Sequence, residues 1–187
     1  MKKTILAVAF CAIFSGNAMA DSHGSMVADA RGVVKQFFGS LKGELEQGMK
    51  TGGPVTAISV CNVKAPMIAE ETGEKTGWQV ARTSLKLRNP DNKPDAWELT
   101  VLEAFETRKA AGEDVTKMEY SEVMTIDGKK TFRYMKAIPT AELCLNCHGS
   151  EIKPEVASSL DELYPKDKAR GYKAGDIRGA FTLQKAL

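Results

Sequence analysis

Histidine is nearly absent from this chain of 187 residues, which holds only His23 and His148. Any chemistry that needs an imidazole must use one of these two. An excess of either charge is also missing: 26 Lys and Arg stand against 24 Asp and Glu, a net charge of +2. That balance supports neither a nucleic-acid surface nor one that binds polyanions. Long apolar runs are lacking after residue 20, so no later segment can cross a bilayer, which takes about 20 apolar residues. Cysteine is limited to Cys11, Cys61, Cys144 and Cys147.

What is present begins with a leader. Lys2 and Lys3 form a charged start, Ile5 to Phe14 a short apolar core, and Ala18-Met19-Ala20 a small-x-small cleavage site. This pattern predicts a secretory signal peptide over residues 1–20, with Asp21 the new N-terminus. Ten apolar residues are too few for an anchor, and Cys11, following the bulky Phe10, is no lipid-attachment cysteine. Cleavage removes two lysines and no acids, bringing net charge to about zero. About 167 residues remain, enough for one domain with a real core over residues 21–187. The expected destination is the periplasm, with no membrane anchor after cleavage.

The most informative stretch is Cys144-Leu145-Asn146-Cys147-His148. Cys-x-x-Cys-His is the attachment site of a c-type haem. Each sulfur can bond to one vinyl group of the porphyrin, and the adjacent imidazole then lies beneath the ring as an axial iron ligand. The spacing suits two fixed points on a rigid macrocycle. Three plainer readings compete: a disulfide or thioredoxin-like pair, a Cys3His zinc site that adds Cys61, and chance. The compartment favours one covalent haem c, because such attachment takes place where exported bacterial chains arrive.

Along the chain, Val27, Ala30, Val34, Phe37, Leu41, Leu45 and Met49 recur at helical spacing. They predict a helix over residues 26–50, capped by Ser25 and stopped by Gly52-Gly53-Pro54. Core packing explains this stripe without a cofactor. Residues 55–69 read as a helix broken near Pro66, with a second short helix over 65–74. Residues 78–87 read as a strand and Asn89 to Pro94 as a loop. Asp95 caps a helix to about Ala111, ended by Gly112. Strands over 118–126 and 130–138 meet at Asp127-Gly128, a strong hairpin signal. A helical turn carries the motif, a short helix covers 156–163, and a last strand covers 177–183. The expected class is α+β, a small antiparallel sheet flanked by helices.

A haem iron has two axial positions, and His148 is the candidate for one. His23 sits so near the new terminus that order is not expected there. Met26, Met49, Met67, Met118, Met124 and Met135 are available, and core filling accounts for several of them. Cys61 is the sharper candidate. It lies in the apolar run Ala57-Ile58-Ser59-Val60-Cys61, and a spare thiol in an oxidising compartment calls for an explanation. The competing account is a small apolar filler. A thiolate would favour ferric iron and a low potential. Arg82, Lys86 and Arg88 are candidate partners for the two haem propionates, and a solvated strand face explains them equally well. Trp97 and Tyr134 are candidates to stack at the ring edge, with core packing the alternative.

Four stretches resemble a known family: Ser59 to Pro66; Arg82 to Pro90 with Asp95-Ala96-Trp97-Glu98; Cys144 to Gly149; and Gly171-Tyr172 with Gly175 to Ala180. They are similar to the small exported c-type haem proteins of a long-unnamed domain family with a PAS-like fold. The same domain also forms the outer sensing part of membrane receptors. The resemblance implies one PAS-like domain around one haem, with His148 and Cys61 as the axial pair. Redox sensing and low-potential electron transfer follow as the expected roles, more in keeping with a sensor or carrier than with an enzyme. A haem enzyme acting on sulfur compounds or peroxide, and a gas-binding sensor, are the alternatives. The expected partner is a redox or signalling protein of unknown identity, and the expected state is a monomer or weak homodimer.

Overall fold

A computed structural model describes the chain from residue 16 to 187, with side chains from residue 22. Lys2, Lys3 and the apolar core of the expected leader lie outside the described residues. The fold is α+β: four antiparallel strands in the order β1-β4-β3-β2, flanked by helices. The strands are β1 (Gln79–Thr83), β2 (Glu119–Ile126), β3 (Lys129–Pro139) and β4 (Ile177–Ala186).

The first helical element, α1, spans Gly16–Ser59; it starts earlier than its apolar stripe predicts and breaks at the expected glycines. Gly52 and Gly53 leave helical geometry, and the chain folds back there. Gly48 and Ala57 then approach so closely that a Cβ on Gly48 would lie 3.2 Å from the Ala57 Cα. A single π-turn, Val60–Lys64, joins this segment to α2 (Ala65–Thr76), which holds Pro66 in its first turn and ends on left-handed Gly77. The proline fits because first-turn N–H groups have no helical partner.

Alternation along the strands builds two cores. Phe132, Tyr134, Phe181 and Leu183 meet Ala30, Val33, Val34, Phe37 and Leu41 of α1, with Trp78 and Ile68. On the opposite face, Met135, Ala137, Ile177 and Ala180 meet Val101, Leu102 and Phe105 of α3 (Ala96–Ala110). Asp95 caps α3 through a reciprocal box with Glu98, whose backbone N–H lies 2.8 Å from the Asp95 carboxylate. Asp127 and Gly128 both take positive φ, as a tight hairpin requires.

His23, expected near a loose terminus, instead lies on α1. Its Nε2 is 3.0 Å from the Ser121 hydroxyl and its ring stands edge-on to Phe132. The extension of α1 across the sheet supplies that order. The strand expected over 78–87 stops at Thr83. There the Ser84 hydroxyl donates to the Arg178 carbonyl at 2.8 Å and accepts the Lys86 N–H at 3.2 Å, turning the chain away.

Strand β4 carries a bulge. Gly179 pairs with Ile138, but Ile177 pairs with Pro139, leaving Arg178 without a partner residue on β3. As a result Ile177 joins the same core as Ala180, which strict alternation forbids. Gly179 is required here: at φ +155 an added Cβ would meet the Thr83 carbonyl oxygen. Gly179→Ala is expected to destabilise the protein by about 1–3 kcal/mol for the backbone alone, with the clash added to it. Urea unfolding checks this; a loss below about 0.5 kcal/mol contradicts it.

Candidate haem site

The Cys-x-x-Cys-His stretch forms two short turns, a 3-10 turn over Glu142–Cys144 and the one-turn helix α4, Leu145–His148. A spacing of three places both sulfurs on one side of the turn. Cys144, Cys147 and Cys61 are all free, half-buried thiols. Gly149 ends the turn where a side chain would strike the Leu145 carbonyl. A small third core holds the motif in place: Cys147 and Ile152 pack against Ile58 from α1 and Val156, Leu160 and Tyr164, the first two on α5 (Pro154–Leu163).

The segment from Asp167 to Tyr172 is stitched to this turn. The N–H of Tyr172 donates to the His148 carbonyl at 2.9 Å, and that of Gly171 to the Gly149 carbonyl at 3.0 Å. The Ala169 carbonyl oxygen lies 2.7 Å from His148 Nδ1. A carbonyl only accepts, so Nδ1 carries the proton and the ring lone pair sits on Nε2, the atom that could bind a metal. The Tyr172 ring stands edge-on to the imidazole, 6.1 Å between centroids.

Arginines crowd the Nε2 side. Arg178 Nε lies 3.2 Å from Nε2 and Arg88 Nη1 lies 3.4 Å from it. Burial, with Arg178 and Arg88 adding repulsion, pushes the His148 pKa down to about 2, against an opposing pull from the Ala169 carbonyl. In the haem-free protein the unfolded chain therefore binds a proton that the folded chain refuses. The sign follows: stability rises with pH over this interval. The contribution is complete above pH 6.5 and declines as pH falls from 6.5 toward about 2. Acid titration of haem-free protein should show this slope, and His148→Gln should flatten it; equal slopes contradict the assignment.

Arg88 is committed elsewhere. Its Nε and Nη2 each lie 3.2 Å from the Asp167 carboxylate, and Nη2 also donates to the carbonyls of Cys147 at 2.5 Å and Ala169 at 3.2 Å. Lys86 is exposed, with its ammonium 5.0 Å from the centre of the Tyr172 ring. Arg82 lies over Phe37 at 5.9 Å, and burial pushes its guanidinium below the ordinary value while the charge of Cys61 opposes this. Of the three propionate candidates, then, only Arg82 has neither an acid nor a ring of this site as partner. Arg178, which alternation hides from a reading of the sequence, lies over the Tyr172 ring but likewise lacks an acid. Among the described residues neither Arg82 nor Arg178 has a carboxylate partner. The run Gly175-Asp176-Ile177-Arg178-Gly179 was the available signal, since a strand entered through two glycines invites a bulge.

Cys61 sits on the π-turn. It acts electrostatically on Arg82, Tyr164 and Cys147, which marks it as a neighbour of the motif. Burial pushes the Cys147 thiol up, Arg88 pulls it down, and Cys61 and Cys144 add to the rise. Among the described residues no three or more His, Cys, Asp or Glu side chains converge on a point where a metal ion could sit. The zinc reading of Cys61, Cys144, Cys147 and His148 is not assembled by this fold. Trp97 and Tyr134 are used by the sheet: Trp97 donates to Glu122 and lies against Arg133, and the Tyr134 hydroxyl donates to Glu119. Met118 and Met135 are fully buried in the core, and Met49 lines a shallow groove with Glu46, Lys50 and Leu143.

A four-stranded α+β domain, with a Cys-x-x-Cys-His turn at one end of its sheet, defines the class. The chain belongs to the Tll0287-like family, whose model matches residues 16–185. The crystal structure of the cyanobacterial heme-protein Tll0287 shares the fold with a TM-score of 0.63, at 22% identity, covering 89% of this chain and 96% of that one. No curated protein matches this chain. Among the described residues no helix is long and apolar enough to cross a membrane.

Proposed function

We propose that this is an exported c-type haem protein, a single PAS-like domain that senses redox state or transfers electrons at low potential. The observation that carries the reading is the fixed tautomer of His148: its Nδ1–H is held by the Ala169 carbonyl, so Nε2 presents a lone pair next to two free cysteines at haem-attachment spacing. In this reading Cys144 and Cys147 hold one haem covalently, His148 is one axial ligand and Cys61 the other. The two guanidiniums without carboxylates fit a cofactor that carries two carboxylates. When bound, the haem supplies one-electron chemistry.

What the chain itself contributes is placement and field. The third core fixes the turn, the 167–172 segment orients the imidazole, and arginine charge around Nε2 tunes the iron. With both axial positions filled by protein there is no open site for a substrate, which supports a carrier or sensor over an enzyme. The protein is proposed to work in the periplasm without a membrane anchor, as a monomer or weak homodimer, alongside a redox or signalling partner.

The test is expression in a host with haem-attachment machinery, then an alkaline pyridine spectrum and paramagnetic resonance. One covalent haem per chain with a low-spin, thiolate-type ferric signal is the expected result. High-spin, water-bound iron would favour the enzyme reading, and no covalent haem would overturn the proposal.

A further inference from the structure

Arg178 combines three features that a structural arginine does not need. It is the extra residue of a bulge, and bulges beside functional sites re-aim side chains. The bulge is held by Gly179, where no Cβ fits, and by the Ser84 hydroxyl bonded to the Arg178 carbonyl. Its side chain, so delivered, faces no acid: Nε lies 3.2 Å from His148 Nε2 and Nη1 lies 3.4 Å from the Ser84 hydroxyl. The rest of the guanidinium rests against Tyr172 at 5.4 Å. Arg88, in contrast, is bonded on Asp167 and two carbonyls.

The bond to Nε2 is incompatible with iron, because one lone pair cannot accept an N–H and bind a metal together. We propose that Arg178 is an exchangeable cap: it donates to His148 Nε2 in the haem-free protein and passes to a haem propionate when the iron takes that lone pair. Arg82 is the receiver of the second propionate, and Arg88 stays with Asp167. The inference rests on the haem reading above. The exchange keeps the guanidinium hydrogen-bonded in both states. One neutral acceptor is traded for an anionic one, the stronger partner for a guanidinium. It also gives the haem-free site a reason to hold its ligand in one rotamer with the lone pair satisfied.

The test compares wild type, Arg178→Gln, Arg178→Lys and Arg82→Gln, each loaded with haem in the same host. Loss of a cation from a propionate favours ferric iron. Arg178→Gln should therefore shift the ferric-to-ferrous ratio at fixed potential about tenfold toward ferric, about 59 mV for one electron. Its propionate-bending mode in the resonance Raman spectrum should move as well. Arg178→Lys should restore the ratio in part and leave the mode shifted, since a point charge lacks the fork. Arg82→Gln should shift both independently. Covalent haem in Arg178→Gln with wild-type potential and wild-type Raman mode overturns the exchange and leaves the haem reading standing. Absence of covalent haem from the wild type overturns both.

Discussion

Cys61→Ala is expected to abolish the low-spin, thiolate-type ferric signal of the haem-loaded protein and to raise its reduction potential. The expected rise is on the order of 100 mV, a fraction of the roughly 0.8 V over which axial ligands set haem potentials. The thiolate donates negative charge to iron and so favours the ferric state. In the proposed site it would work against the positive charges of Arg88 beside His148 and of Arg178 on a propionate, which favour the ferrous state. Removing the sulfur leaves the arginines unopposed, so the change should have a single sign. The substitution should cost little stability, because Cys61 is half-buried on a π-turn and is not part of any of the three cores. Spectra of wild type and Cys61→Ala that coincide would remove Cys61 as a ligand. The low-potential role would go with it, while haem attachment at Cys144 and Cys147 would stand.

Arg88→Ala is expected to destabilise the fold by about 3–5 kcal/mol, the usual cost of stripping one partner from a buried ion pair. The side chains of Arg88 and Asp167 are 9% and 2% exposed. Truncating Arg88 leaves the Asp167 carboxylate with Arg170 and the Ala169 N–H but without its buried counter-ion. It also strips a donor from the Cys147 and Ala169 carbonyls, the two ends of the clamp around His148. Denaturant unfolding of haem-free protein measures the loss. The double variant Arg88→Met, Asp167→Leu should recover much of it, since no unpaired charge remains. A loss below about 1 kcal/mol in Arg88→Ala would place the pair with surface bridges. Acid provides a second check. Burial raises the Asp167 pKa, but bonds from Arg170, Arg88 and the Ala169 N–H outweigh it, so the net shift is downward from 3.8. A depressed carboxylate stabilises above its unfolded value and loses that contribution as pH falls through the folded one. The loss therefore begins below about pH 4, where it adds to the His148 slope that starts near pH 6.5.

Much of the fold was legible because its signals are local. The Asp95 box, the Asp127-Gly128 turn and the glycine break at 52–53 are set by a few adjacent residues, and each lies where the sequence places it. The end of β1 was not legible, because the Ser84 hydroxyl that turns the chain bonds Arg178, 94 residues away. The same holds for the site. The pentapeptide shows the motif, but a one-residue slip in β4 decides which arginines reach it, and alternation alone points Arg178 elsewhere. Asp167 gave no signal at all: it is an ordinary loop acid in sequence, and only its burial against Arg88 makes it a support of the Cys-x-x-Cys-His turn.

The position of the last strand has a consequence for how the chain assembles. β4 comes last of the four strands in the sequence, yet it lies between β1 and β3, and without it β1 has no neighbour in the sheet. A chain that emerges N-terminus first can form the β2–β3 hairpin early, but it cannot close the sheet until the ten residues of β4 arrive. The same strand brings Arg178 and, just before it, the segment that clamps His148. Until then the motif has only its small core of Ile58, Val156, Leu160 and Tyr164 to pack against. The order of synthesis thus places the ordering of the His148 surroundings late, after the motif itself has emerged. Deleting residues 177–187 should leave a chain that retains the motif but never reaches the native sheet.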